Sequence, residues 1–229
     1  MTINNNNIFG VFTLGEVRGG RLTGEWLNKE SVANYGWFGG GVQTPGIRSI
    51  VERIDFSNES STLTRGSLSS IRRLLTATGN SNYGWFGGGD IPGGEVSIVD
   101  RIDFSNDSAA AIARGPLAQA RTQLAATGNS NYGWFGGGII TPTIVSTVDR
   151  IDFSNDSPAA SPRSQLSAAR AYLAATGNSN YGWFGGGRTP TIVATVDRID
   201  FSNDSATASP RGPLSSTRTQ LAATSNSTR

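Results

Sequence analysis

The sequence predicts an all-β fold made of four copies of one four-stranded unit, and three observations carry that expectation. An aromatic-glycine run, YGWFGGG, begins at Tyr35, Tyr83, Tyr132 and Tyr181, in steps of 48, 49 and 49 residues. Two further signatures keep constant order behind it: ERIDFSNES or DRIDFSNDS from Glu52, Asp100, Asp149 and Asp197, and a run of the form RGPLSSTRTQLAAT from Arg65, Arg114, Arg163 and Arg211. The 229 residues include 30 Gly and 9 Pro with many Asn, Ser and Thr, a balance suited to short strands and frequent turns. A period of roughly 40–50 residues holding four strands is the blade pattern of a β-propeller, so residues 31–229 are expected to form one of four blades.

Within a unit, QLAATGN, preceded by an Arg, supplies strand a, and NYGWFGGG supplies strand b. TVDRIDF supplies strand c and the more polar SATASPR strand d. Breakers fall between them: Gly128-Asn129-Ser130-Asn131 after a, the segment behind Gly136-Gly137-Gly138 after b, and Ser154-Asn155-Asp156 after c. The first full unit opens on strand b at Tyr35, whereas the last strand a runs from Gln220 to Thr224. Pairing of that C-terminal strand with the first blade would close the ring and leave no unpaired edge there. An open array needing caps or neighbours is the alternative.

Residues 1–30 differ in kind, with an Asn-rich start and then apolar residues but no blade signature. They form a candidate assembly anchor through Phe9, Phe12, Leu14, Leu22, Trp26 and Leu27; a strap packed across the chain's own propeller is the plain alternative. Their start lacks the basic and apolar stretches of a secretory signal, and no apolar run nears the roughly 20 residues that cross a bilayer.

The chain has no Cys and no His, which excludes thiolate and imidazole metal sites, a Cys nucleophile, a Ser-His-Asp triad and disulfides. A non-enzymatic protein without cofactors is expected. The net charge is +2, from 19 basic and 17 acidic residues, and Lys29 is the only Lys, so a pI of 9.3 reflects Arg content and is weak support for a nucleic-acid partner.

Several motifs have a functional and a structural reading. Gly136-Gly137-Gly138 lacks the following helix of a phosphate cradle and reads as close backbone packing. Tyr132 and Trp134 share one face of their strand and Phe135 takes the other, so these aromatics are core before they are a sugar-stacking platform. Asp149, Arg150 and Asp152 lack the ligand spacing of a calcium loop. Arg150 and Asp152 can pair with each other or with the next blade, and with three acids and three Arg per repeat the charges suit an internal ladder. Asn58-Glu59-Ser60, Asn106-Asp107-Ser108, Asn155-Asp156-Ser157 and Asn203-Asp204-Ser205 match a glycosylation sequon and are also ordinary turn chemistry; the turn reading is preferred.

Comparing the four units shows which positions vary. The strands and the a–b and c–d turns barely change, while the b–c segments read VQTPGIRS, DIPGGEVS, IITPTIVS and RTPTIVA. In an up-and-down blade the b–c and d–a connections emerge on one face, which makes that face the candidate partner-binding surface, with Arg48, Asp90, Glu95 and Arg188 as its distinctive polar groups. Drift after duplication explains the same variation.

The repeat resembles the Kelch family, whose blades carry a glycine doublet ending strand b, an Asp-containing turn after strand c and an Arg before the next strand a. Gly87-Gly88-Gly89, Asp103 with Asn106 and Asp107, and Arg121 match these features. The Trp usual after the turn is replaced by Ser60-Ser61, Ser108-Ala109, Ser157-Pro158 and Ser205-Ala206, which makes the packing a variant. The copper and crosslinked-Cys site of Kelch-related oxidases has no counterpart. The wording of the repeats, with the leader FTLGEVRGGRLTGEW, also looks like a subset found in tail-fibre and other structural proteins of marine and cyanobacterial phages. That resemblance implies a virion protein, made in the host cytoplasm and carried on the extracellular particle as a tail-fibre or appendage component. Its implied partners are other virion proteins and a host-surface glycan or protein within a larger assembly, with no nucleic acid and no membrane insertion. A cellular Kelch-type scaffold or carbohydrate-binding module is the alternative.

Overall fold

The computed structural model describes residues 34–59 and 61–225, so the anchor residues Phe9, Phe12, Leu14, Leu22, Trp26 and Leu27 lie outside the described residues. The chain divides into two units, residues 1–36 with 54–61 and residues 37–53 with 62–229. In the described part of the smaller one, the Phe56 N–H donates to the Asn34 carbonyl at 2.9 Å and the Glu59 N–H to the Asp55 carbonyl at 2.8 Å. The Phe56 ring lies over Gly36, where a Cβ would sit 2.8 Å from Cζ.

The described residues are all-β and form the four repeats as successive antiparallel sheets, of which the second, third and fourth lie wholly in the larger unit. The first sheet is built on β1 (Tyr35–Gly39), followed by a small hairpin of β2 (Val42–Gln43) and β3 (Gly46–Ile47), then β4 (Ile50–Asp55) and β5 (Leu63–Ser67), in the order β1-β4-β5. The second holds β6 (Thr76–Gly79), β7 (Tyr83–Gly87), the hairpin β8 (Asp90–Ile91) and β9 (Gly94–Glu95), β10 (Val99–Asp103) and β11 (Ile112–Arg114). The third holds β12 (Ala125–Gly128), β13 (Tyr132–Gly136), the hairpin β14 (Ile139–Ile140) and β15 (Thr143–Ile144), β16 (Thr147–Asp152) and β17 (Ser161–Gln165). The fourth holds β18 (Ala174–Gly177), β19 (Tyr181–Gly185), β20 (Val196–Asp200) and β21 (Ser209–Arg211). Sheets two to four run a-b-c-d in space, in the predicted order.

Two expectations about the edges change. The b–c segments of the first three repeats are short hairpins, a feature that two-residue strands are too brief to signal by periodicity. The C-terminal segment, expected to pair with the first blade as its strand a, is in no strand over 221–225, and among the described residues the first sheet has three strands. The Gln220 N–H instead donates to the Tyr172 carbonyl at 2.9 Å, which ties the segment to the fourth repeat's side.

Successive sheets lock together through one repeated set of contacts. The Phe of strand b in sheets two to four sits on the last strand-b Gly of the sheet before it: a Cβ on Gly39, Gly87 or Gly136 would lie 2.8, 2.6 or 2.7 Å from a ring carbon of Phe86, Phe135 or Phe184. The Trp of each of the first three strands b stacks on the Phe after the next strand c, with centroids 3.8 Å apart for Trp37–Phe104, 3.8 Å for Trp85–Phe153 and 3.7 Å for Trp134–Phe201. Such pairs add about 0.5–1.5 kcal/mol beyond their area burial.

The same Trp donates its indole N–H to a carboxylate of the next sheet: Trp37 to Asp107 at 2.8 Å, Trp85 to Asp156 at 2.9 Å and Trp134 to Asp204 at 3.0 Å. Arg53, Arg101 and Arg150 converge on those carboxylates at 3.1, 3.1 and 3.0 Å. The Asp of the Asn-Asp-Ser tripeptide is therefore a buried acceptor for its neighbour, and the turn itself is held by Asp103, Asp152 and Asp200, each accepting from the Ser two residues on. Of the two pairings open to Arg150, the structure shows the one with the next sheet.

A second ion pair is fully buried within each of sheets two to four: Arg72–Asp100 at 2.6 Å, Arg121–Asp149 at 2.9 Å and Arg170–Asp197 at 2.6 Å, all with side chains 0% exposed. Each guanidinium also donates to carbonyls such as Ile98, Thr147 and Thr195, so its remaining protons are partly satisfied. Burial pushes these three Arg below their ordinary value and pushes Asp149 up, with the partner's charge opposing the shift.

Candidate recognition face

The glycine doublet sets the geometry of the variable face. Gly88 (φ +67°) and Gly89 (φ +104°) turn the chain out of β7, and a Cβ on Gly88 would lie 2.6 Å from the Arg121 carbonyl. Only Gly fits this left-handed, crowded position. The chain then enters the b–c hairpin, which bridges to the residue behind the buried Arg: Arg73 with Asp90, Thr122 with Ile139 and Ala171 with Arg188. The next residue, Leu74, Gln123, Tyr172 or Gln220, has φ of 55°, 58°, 57° or 55°. Its unusual conformation aims the backbone at the neighbouring repeat, because Gln123 N donates to the Leu74 carbonyl, Tyr172 N to Gln123 and Gln220 N to Tyr172 at 2.9–3.0 Å.

The four predicted polar groups all lie on the b–c segments, but they do not converge on one point. Arg48 donates to Gln43 of its own hairpin at 3.0 Å. Asp90 accepts from Arg73 at 2.8 Å. Glu95 reaches the next repeat, accepting from the Thr141 hydroxyl and, at 3.2 Å, from its N–H; the hydroxyl bond holds the Glu95 carboxyl below its ordinary value. Arg188 is exposed and lines an open depression of about 560 Å³ with Tyr172, Pro190, Thr191, Ile192, Thr219 and Gln220.

Tyr172 and Gln220 were not singled out by sequence. The signal that finds them is the pair of variable positions behind the constant Arg, which reads Arg-Leu, Thr-Gln, Ala-Tyr and Thr-Gln. It lies on the d–a connection, which shares the variable face.

The opposite, constant face carries two like grooves of about 320 Å³. One is lined by Asn80, Tyr83, Asp152 and Ser154, the other by Asn129, Tyr132, Asp200 and Ser202. An arginine covers each tyrosine ring, Arg101 over Tyr83 and Arg150 over Tyr132, both 4.4 Å from the centroid. Among the described residues no group of three or more His, Cys, Asp or Glu is placed to hold a metal ion. No protein-family model matches the chain, and no curated protein matches it.

Proposed function

We propose that the four repeats are blades of a Kelch-like β-propeller and that the chain is a non-enzymatic structural protein of a phage virion. It serves as a tail-fibre or appendage component that contacts a host surface or a neighbouring virion protein. The observation that carries this reading is the division of labour among positions. The Trp, Phe, Gly and Arg that lock sheet to sheet recur in every repeat, while exposed groups differ on the b–c and d–a connections, where Arg188, Tyr172 and Gln220 line an open depression. A rigid scaffold that displays individual loops is a platform suited to recognition.

Mass spectrometry and immunogold labelling of purified particles test the assignment: the chain is expected in the virion, at one appendage, and its absence from particles overturns it. Exchange of RTPTIVA for DIPGGEVS is expected to abolish adsorption or partner capture while the chain stays folded; unchanged adsorption and capture remove the recognition role.

The paired grooves of the constant face favour a second reading, a carbohydrate-binding module. Asn, Ser and Asp beside a tyrosine are groups that hydrogen-bond sugar hydroxyls, and their recurrence in two adjacent repeats matches a repeating polymer. Binding to a glycan array that Asn129→Ala and Asn80→Ala weaken together would support it; no glycan binding would remove it.

A further inference from the structure

Among the described residues the repeated sheet-to-sheet lock has two open ends, and they are complementary. At the fourth sheet, Gly185 is the hollow that Gly39, Gly87 and Gly136 offer to a Phe, yet a Cβ there would meet nothing nearer than Val196 at 3.6 Å. At the first sheet, Phe38 is the knob equivalent to Phe86, Phe135 and Phe184, which are 6%, 0% and 0% exposed; Phe38 is 59% exposed.

The charges repeat this pattern. Arg218 has the backbone placement of Arg121 and Arg170, its N–H donating to Val193 at 3.2 Å and its carbonyl accepting from Gly187 at 2.7 Å. Its side chain is exposed and, among the described residues, has no ion-pair partner. Glu52 holds the place of Asp100, Asp149 and Asp197, which are fully buried against Arg72, Arg121 and Arg170. The position where an Arg for Glu52 would fall by the repeat spacing is Gly24. One end of the array thus offers a hollow and a cation, and the other a knob and an anion.

We propose that the fourth sheet of one chain takes the first sheet of a second copy of this chain, continuing the repeat across molecules. Phe38 of one copy enters the hollow at Gly185 of the other, and Arg218 pairs with Glu52. The surface joins two different patches, so the contact is head-to-tail and builds closed rings or filaments. The occupant is a second copy because no described residue fills the hollow at Gly185 or forms an ion pair with Arg218 or Glu52, and because the fit reuses contacts that already join sheets one to four. The inference rests on the repeat geometry and not on the virion assignment, so either can fail alone.

A charge swap on the full-length chain tests it. Wild type is expected to self-associate in sedimentation velocity and native mass spectrometry at concentrations on the order of 1–100 µM. Arg218→Glu alone and Glu52→Arg alone are each expected to weaken association roughly a hundredfold by placing like charges together. An equimolar mixture of the two is expected to restore a mixed oligomer, because one interface regains its pair reversed and the other is wild type. Phe38→Ala should weaken association without changing the circular dichroism spectrum. A wild-type chain that stays monomeric throughout that range overturns the proposal, whether it closes on itself or is capped by residues 1–33. Oligomers insensitive to both charge reversals, or no rescue on mixing, overturn it equally.

Discussion

Removing the carboxylate at Asp149 isolates the buried Arg121 charge and exposes how the third repeat is balanced. In wild type the Arg121 guanidinium donates to Asp149 at 2.9 Å, to Thr147 at 2.8 Å and to Phe135 at 3.3 Å, with both charged side chains 0% exposed. Asp149→Ala leaves that cation in a dry site with two carbonyls, which costs about 3–5 kcal/mol. The Ala118 N–H, which donates to Asp149 at 3.0 Å, also loses its acceptor. With a urea dependence of about 3 kcal/mol per molar for a unit of this size, the unfolding midpoint falls by roughly 1–1.7 M. Trp85 and Trp134, both 0% exposed, report the transition by fluorescence alongside far-UV circular dichroism, and coincidence of the two checks cooperativity. The double change Arg121→Met with Asp149→Leu removes both charges and should recover most of the loss, because a hydrophobic pair avoids the desolvation that the ions carry. A midpoint shift below about 0.3 M for Asp149→Ala, or a double variant as unstable as the single one, would refute the reasoning.

Other outcomes follow from single contacts. Ser167 supplies both its N–H and its hydroxyl to Asp197, whereas Ala118 at the equivalent place supplies only an N–H to Asp149, whose Oδ1 has no partner; Ala118→Ser should raise stability by about 0.5–1.5 kcal/mol in urea titration, and a loss would refute it. Gly136→Ala puts a methyl 2.7 Å from Phe184 and should cost about 1–3 kcal/mol, while Gly185→Ala meets ordinary contact distances and should leave the stability of the isolated chain within about 0.5 kcal/mol. Asp103, Asp152 and Asp200 are held below their ordinary value first by the hydroxyls of Ser105, Ser154 and Ser202. A depressed folded value means stability that is present above the unfolded value of 3.8 and lost as pH falls through the folded one. The triple change of those Ser to Ala should therefore destabilise at pH 7 and lose its effect on acidification through that window; an effect that grows toward low pH contradicts the assignment.

The strand pattern was legible in the sequence because a strand is a local object. QLAATGN, YGWFGGG and TVDRID alternate or run apolar between Gly and Asn breakers, and the sheets form at those segments. The burial of Trp85, Phe135 and Phe184 and the internal use of Arg and Asp were legible too, since neutral charge balance within a repeat leaves no surplus for an outer surface. Which Arg meets which Asp was not. Trp85 and Asp156 are 71 positions apart, further than one repeat, and that distance exists only once one sheet stands on the next. Of the recognition face, the b–c groups were found from their variation. Tyr172 was missed because a short variable stretch beside a constant Arg looks like drift until the chain brings it beside Arg188.

The sequence by itself determined the repeat, its period, its four strands and the identity of the packing aromatics, because each is encoded within about 48 residues and repeated four times. Only the tertiary structure decided the state of the ends. A strand exists by hydrogen-bonding to a neighbour, so the residues that form β12 and β18 in the interior stay unpaired at 221–225. A phenylalanine that is core at 135 is surface at 38 for the same reason: burial belongs to the contact with the adjoining sheet and not to the residue.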